Sequence, residues 1–121
     1  MEEQPYAIVI EDDPKLSLIY MTALQAAGFD TALDISGDTY PTLLDAAEPD
    51  FVVLDLHLPA ASGTDILKDI RDRYPNTVIA IVTADFIKAK NLPARADHVL
   101  IKPVSVASLL KIAETIKEPQ R

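Results

Sequence analysis

The chain has 121 residues, of which 49% are apolar and 25% charged, and it contains no cysteine. This length suits one globular domain with its own hydrophobic core, and the composition is that of a folded soluble protein. The lack of cysteine excludes disulfides, thiolate metal sites and a cysteine nucleophile. No apolar run approaches the roughly 18 residues of a membrane span, and no signal-peptide pattern is present. We therefore expect a cytoplasmic protein with no membrane contact.

The charge is acidic and unevenly distributed. A net charge of −8 argues against nucleic acid as a direct partner, because binding DNA requires Lys and Arg to neutralise phosphates. Residues 1–56 carry 12 acids and the single base Lys15, whereas the remainder carries 7 acids and 10 bases. Acidic residues crowded into the first half favour either a cation site or a solvated acidic face.

Strands and helices are predicted to alternate along the chain. The predicted strands are residues 6–10, 29–35, 51–56, 78–83 and 99–101. The first helix begins after Asp13, a capping residue followed by Pro14, and ends at Gly28. Apolar stripes predict further helices over residues 40–47, 62–74 and 105–116. Residues 85–93 have room for one or two helical turns only.

This alternation predicts the α/β class with a doubly wound, five-stranded parallel sheet in the flavodoxin-like order 2-1-3-4-5. Helices should cover both faces, with a short or degenerate fourth helix. In such sheets function sits at the carboxyl ends of the strands, where the strand order reverses. The polar residues that follow or end strands 1, 3, 4 and 5 there are Glu11, Asp12, Asp55, Thr83 and Lys102.

These residue types favour phosphoryl chemistry. Three neighbouring carboxylates raise one another's pKa unless a cation joins them, and Mg²⁺ prefers carboxylates, waters and a phosphate oxygen as ligands. Lys102 adds a positive charge and Thr83 a hydroxyl donor, which together suit a phosphoryl group. Asp55 is the candidate nucleophile, because it ends the central strand.

The same motifs resemble the receiver domain of bacterial two-component response regulators. They are the acidic residues within 10–13, the segment 54–59 with Gly63, the sequence Val82-Thr83-Ala84 and the sequence Ile101-Lys102-Pro103. Their order and spacing agree with the family over nearly the whole chain. The resemblance implies a single receiver domain over residues 1–121, with a core at about 5–117 and no effector domain.

Carried over by position, the resemblance implies a role for each site residue. Asp55 would be the phosphoacceptor, and Thr83 and Lys102 would contact the phosphoryl group. Magnesium would be held by Glu11 through water, by Asp12, by Asp55 and by the backbone carbonyl of His57. The bond between Lys102 and Pro103 would be cis.

The function implied by the resemblance is a phosphorylation-dependent signalling switch and not a metabolic enzyme. The phosphoryl group would come from a histidine kinase or a histidine phosphotransfer protein, would be hydrolysed slowly, and would change the binding of a downstream protein. In this family the face made by the fourth helix, fifth strand and fifth helix commonly serves dimerisation, so a homodimer through that face is one expectation.

Departures from the family pattern support an alternative. Val99 stands where the family usually has an aromatic residue, and the span from Thr83 to Lys102 is a few residues short. A degenerate receiver that binds proteins without phosphorylation is therefore the alternative function. A phosphatase of the haloacid dehalogenase type fits less well, because residues 11–14 lack its Asp-x-Asp motif. A flavin carrier is disfavoured by the acidic first loop.

Overall fold

The structure is a computed structural model that describes residues 4–117. Its strands are β1 (Tyr6–Ile10), β2 (Asp30–Asp34), β3 (Phe51–Asp55), β4 (Val78–Thr83) and β5 (His98–Ile101). Its helices are α1 (Pro14–Ala26), α2 (Tyr40–Ala46), α3 (Gly63–Arg73), α4 (Phe86–Lys90) and α5 (Val106–Lys117). The strands form one parallel sheet in the order β2-β1-β3-β4-β5, as predicted. No helix in the described range is long and apolar enough to cross a membrane.

Apolar side chains of alternate strand residues pack on opposite faces of the sheet. All five residues of β3 are buried, which explains its continuous apolar run. Val53 packs on one face with Tyr20 and Leu24 of α1 and with residues of α5. Leu54 packs on the other face with residues of α2 and α3. The two cores hold β1, β3 and β4 in place, and their carboxyl ends lie at one edge of the sheet.

The ends of α1 follow the predicted capping. Asp13 accepts hydrogen bonds from the backbone N–H groups of Lys15 at 2.8 Å and Leu16 at 3.1 Å. Gly28, two residues after the last helical residue, has a φ of 97°, a left-handed conformation that favours glycine. Capping therefore sets both ends of the helix that follows β1.

A buried carboxylate organises the loop after β2. Asp34 is 1% exposed, and its two oxygens accept from the N–H groups of Ser36, Gly37, Thr39 and Tyr40 at 2.7–3.0 Å. The acid-rich first half of the sequence predicted a cation site or a solvated face. Asp34 belongs to neither, because its charge is used inside the loop that leads into α2.

In the last part of the sheet β5 differs from its predicted bounds, whereas α4 and the bond before Pro103 agree with the expectations. β5 begins at His98, one residue before the predicted strand, because His98 pairs with Ala80 through the backbone, whatever the polarity of its side chain. α4 has only five residues and none of them is buried, as the short segment predicted. The bond between Lys102 and Pro103 is cis, as expected from the resemblance.

Arg71 ties α3 to the segments that flank β4 and precede β5. Its guanidinium donates to the carbonyls of Pro75, Thr77 and Arg95 at 2.8–2.9 Å. It also forms an ion pair with Asp97 at 2.8 Å, and both side chains are largely buried. The shortened connection around α4 is thus fastened to α3 by one side chain.

Candidate functional site

The sheet topology brings the three predicted carboxylates together. Glu11 and Asp12 directly follow β1, and Asp55 is the last residue of the neighbouring strand β3. Each of them places a carboxylate oxygen within 4.8 Å of the other two. The grouping follows from strand order, because β1 and β3 are adjacent and parallel and so end at the same edge.

Burial divides these acids into an inner pair, Glu11 and Asp55, and one outer acid, Asp12. Glu11 is 0% exposed and Asp55 is 5% exposed, whereas Asp12 is solvent-exposed. The Nζ of Lys102 lies 2.9 Å from Oε1 of Glu11 and 3.3 Å from Oδ2 of Asp55. The contact with Glu11 is close enough for an ion pair, but Oε1 has no partner with hydrogen-bond geometry among residues 4–117. Lys102 therefore neutralises the inner pair only in part.

The protonation of Glu11 reflects this imbalance. The pKa of Glu11 is raised to about 7, because burial and the nearby carboxylate of Asp55, which raise it, outweigh the ammonium of Lys102, which lowers it. For Lys102, burial alone would lower the pKa, but its contacts with Glu11 and Asp55 outweigh burial and raise it. The lysine is accordingly charged at neutral pH, and three carboxylates share one ammonium.

The donor set fits a hard divalent cation. All three acids offer oxygen atoms, one of them is solvent-accessible, and Oε1 of Glu11 is a buried oxygen without a hydrogen bond. A few carboxylates with room for water are what Mg²⁺ requires. A cation at this point would also offset the mutual repulsion of the acids. Glu11, Asp12 and Asp55 are the residues that could hold it.

Thr83 and His57 lie beside the carboxylates and are joined through Asp85. Thr83 is buried at the end of β4, and its hydroxyl oxygen accepts from the N–H of Asp85 at 3.0 Å. The backbone N–H of His57 donates to Asp55 at 3.2 Å, and its ring nitrogen Nε2 lies 3.0 Å from Oδ2 of Asp85. The loops after β3 and β4 are thus linked across the site by one side-chain contact.

Gly63 allows the loop after β3 to close tightly. A Cβ atom at this position would lie 2.3 Å from the Cα of Leu56, and the N–H of Gly63 donates to the carbonyl of Leu56 at 3.0 Å. No side chain fits at that separation, so the close approach requires glycine. The turn keeps His57 and the residues after it next to Asp55.

Sequence reasoning missed one residue that the structure places at this site. Lys88 of α4 lines a cavity of 630 Å³ together with Asp12, His57 and Ser62. In the sequence it is one of several basic residues in an irregular segment. The sequence signal that could have placed Lys88 at the site is its position five residues after Thr83, which ends β4. That spacing is informative only when the path of the loop is known.

Known proteins share both the sequence pattern and the fold. Residues 7–114 match the response regulator receiver domain family. The chain is 31% identical, over 99% of its length, to the transcriptional regulatory protein BaeR of Escherichia coli, and 32% identical, over 85%, to the sensory transduction protein RegX3 of Mycobacterium tuberculosis. These alignments cover 52% and 46% of the two relatives, so the chain spans about half the length of the curated relatives it matches.

Solved structures give the same answer for the fold. The receiver domain of the Francisella response regulator 1452 has a TM-score of 0.82 and 27% identity, covering 93% of this chain and 95% of that one. The BeF3-activated receiver domain of DrrB has a TM-score of 0.82 and 27% identity, covering 97% of this chain and 100% of that one. A receiver domain protein from Methanospirillum hungatei, at 22% identity, reaches a TM-score of 0.85 and covers 94% of both chains.

Proposed function

Because this chain belongs to the response regulator receiver domain family, we propose that it is a phosphorylation-dependent signalling switch of a two-component system. The observation that carries the proposal is the cluster of Glu11, Asp12 and Asp55, whose oxygens lie within 4.8 Å of one another. In the proposal Asp55 accepts the phosphoryl group, and the donor is a histidine kinase or a histidine phosphotransfer protein. Phosphorylation then changes how the domain binds a protein partner.

The transfer is a displacement at phosphorus. A carboxylate oxygen of Asp55 attacks the phosphorus atom, the P–N bond to the donor imidazole breaks, and the released nitrogen takes a proton from water. Lys102, 3.3 Å from Asp55, is close enough to pair with the new phosphoryl oxygens. The Thr83 hydroxyl accepts from Asp85 and keeps its own proton free to donate to the phosphoryl group. Water later attacks phosphorus and releases inorganic phosphate and the free carboxylate.

Magnesium is the proposed cofactor. Asp12, Asp55 and the backbone carbonyl of His57 would hold it directly, and Glu11 would do so through water. Bound Mg²⁺ would supply positive charge that offsets the charge of the phosphoryl oxygens. The support for this assignment is the oxygen-only donor set and the excess of carboxylates over ammonium groups.

Incubation with acetyl phosphate, followed by intact-mass measurement, tests the proposal. We expect one phosphoryl adduct that depends on Mg²⁺, that is lost in Asp55→Asn, and that is retained in the matched variant Asp30→Asn on the exposed side of β2. An Asp55→Asn protein that still forms the adduct would contradict the assignment of the phosphoacceptor. A wild-type protein that binds Mg²⁺ but forms no adduct would support the alternative, a receiver that binds proteins without phosphorylation.

The output surface is proposed to be the face formed by α4, β5 and α5, acting through a homodimer or another protein. Val99 and Ile101 of β5 are each 41% exposed, and Phe86 and Ile87 of α4 are also exposed. Apolar side chains grouped on a surface favour contact with protein. The acidic net charge disfavours direct contact with nucleic acid. We propose that residues 5–117 form one receiver unit.

A further inference from the structure

A cavity lies directly beside the carboxylate cluster. It measures 630 Å³ and lies between Asp12, the loop of residues 56–62 and the side chain of Lys88. Because Asp55 is 5% exposed, a small donor must reach it through space next to the exposed Asp12. A second cavity, of 670 Å³, also borders Asp12, but its other walls belong to α1 and residues 33–35. The cavity of 630 Å³ is the one of these two that is also lined by the loop that directly follows Asp55.

Lys88 is a cation in the cavity wall whose charge helps to lower the pKa of Asp85 but is not held by that carboxylate in an ion pair. Lys102, by contrast, is held by both Glu11 and Asp55. Within residues 4–117, no carboxylate forms an ion pair with Lys88. Its ammonium group is therefore available to an anion that enters the cavity.

The backbone of Lys88 is fixed in place. Its N–H donates to Oδ1 of Asp85 at 2.9 Å, and the second oxygen of Asp85 lies 3.0 Å from the ring of His57. The side chain of Lys88 is half-buried against the cavity. The backbone of Lys88 is hydrogen-bonded and its side chain is partly buried. It therefore loses less conformational entropy on binding an anion than a fully mobile lysine would.

We propose that Lys88 binds small anionic phosphodonors in this cavity before transfer to Asp55. The inference rests on the proposed function. Acyl phosphates are the donor class: the Asp55 oxygen attacks phosphorus, the P–O bond to the acyl oxygen breaks, and the carboxylate leaves with the electron pair. Such a donor carries two negative charges and approaches three carboxylates, so a free ammonium beside its path reduces the repulsion.

The dependence of the phosphorylation rate on donor concentration tests this role. Lys88→Met removes the charge and keeps an apolar stem, Lys88→Arg restores the charge, and Lys90→Met is the matched control, because Lys90 lies over the ring of Phe86 and outside the cavity. For Lys88→Met we expect the half-saturating acetyl phosphate concentration to rise about tenfold with little change in the maximal rate. Lys88→Arg and Lys90→Met should remain within about twofold of wild type.

A second donor identifies the group that Lys88 contacts. Phosphoramidate releases ammonia instead of a carboxylate. A defect of Lys88→Met with both donors supports contact with the phosphoryl group, and a defect with acetyl phosphate alone supports contact with the departing carboxylate. Equal half-saturating concentrations for wild type and Lys88→Met with both donors would overturn the inference and leave the proposed function intact.

Binding without transfer separates this inference from the proposed function. In the Asp55→Asn background no aspartyl phosphate can form, so inorganic phosphate can be titrated in the presence of Mg²⁺ and followed by NMR. Adding Lys88→Met should weaken phosphate binding by about threefold or more. Equal affinities would overturn the role of Lys88, whether or not the wild-type protein is phosphorylated. A wild-type protein that takes no phosphoryl group would overturn the proposed function alone.

Discussion

Tyr20 is a buried polar side chain whose hydroxyl has no described partner. It is 1% exposed, and within residues 4–117 its hydroxyl makes no hydrogen bond. Burial raises its pKa, and the charge of Glu11 raises it further, so the hydroxyl stays protonated. A buried hydroxyl without a partner costs about 1–3 kcal/mol, whereas the ring itself packs well between β1, β3 and α5.

We therefore expect Tyr20→Phe to raise the free energy of unfolding by about 1 kcal/mol. Tyr74→Phe is the matched variant, because the Tyr74 hydroxyl donates to the carbonyl of Leu44 at 2.8 Å. Its loss should lower the free energy of unfolding by about 1 kcal/mol. Urea denaturation of the two variants measures both changes. A loss of stability in Tyr20→Phe would show that the hydroxyl has a favourable interaction in solution.

For individual residues, the sequence predicted which side chains lie close together but not which of them contact each other. Glu11, Asp12 and Asp55 could be placed together because each follows or ends a strand. The contacts of Lys102 with Glu11 and Asp55 depend on side-chain conformation and burial, which no spacing encodes. The raised pKa of Glu11 also depends on burial and side-chain contacts, so it could not be predicted from the sequence either.

Between elements, the ion pair of Arg71 with Asp97 is the contact we expect to matter most for stability. The side chains of Arg71 and Asp97 are 10% and 21% exposed, and without Arg71 the largely buried Asp97 would keep only the N–H of Ile79 and the more exposed Arg95 as partners. Arg71→Met should lower the free energy of unfolding by about 3 kcal/mol. Lys68→Met breaks the exposed pair with Asp72 on the same helix and should cost at most about 0.5 kcal/mol. Similar losses in the two variants, measured by urea denaturation, would contradict this ranking.

Asp97 should also make stability depend on pH. Burial alone would raise its pKa, but the N–H of Ile79 and the guanidinium of Arg71 outweigh burial and lower the pKa below the ordinary 3.8. A lowered pKa in the folded state stabilises the protein above pH 3.8, and this contribution disappears as the pH falls through the folded-state value. The stability difference between wild type and Asp97→Asn should therefore be large at neutral pH and shrink as the pH falls below 3.8. A difference that stays constant would contradict the pKa shift.

Element boundaries were predictable where an apolar run ends abruptly. β1 and β4 match their predicted bounds to the residue, since each run is followed by a polar or small residue. The predicted second strand, residues 29–35, is one residue too long at each end. Phe29 and Ile35 are apolar but lie outside the backbone pairing of β1 with β2. Hydropathy indicates which residues are buried, whereas the ends of a strand are set by backbone hydrogen bonds to the neighbouring strand.

For the whole molecule, the exposed face of β5 predicts self-association. If the α4–β5–α5 face is the output surface, phosphorylated wild-type protein should form dimers in sedimentation velocity, and Ile101→Glu should weaken them at least about tenfold. Leu18→Glu on α1 is the matched control, because Leu18 is an exposed apolar residue on another element. Equal weakening by the two variants would indicate nonspecific association, and unchanged dimerisation of Ile101→Glu would exclude this face.

The sequence predicted the global topology because alternating elements and handed crossovers leave few arrangements of a parallel sheet. The cavity beside the cluster was not predictable in the same way. Its walls are the loop of residues 56–62 and the five-residue α4, which come together through the contact of His57 with Asp85. Loop paths of this kind depend on individual hydrogen bonds and have no periodic signature.

The arrangement around Asp34 has a consequence for how this sequence can vary. The loop from Ser36 to Tyr40 is held through its backbone N–H groups by one carboxylate, and Gly37 has a φ of 94°. The side-chain hydrogen bonds of Ser36 and Asp38 stay within residues 34–39, so the fold of the loop depends chiefly on Asp34 and Gly37 and little on positions 36 and 38. A library that randomises positions 36 and 38 should retain many folded members, whereas one that randomises position 34 should retain few. This short segment can change its surface chemistry without disturbing the sheet on which the site is built.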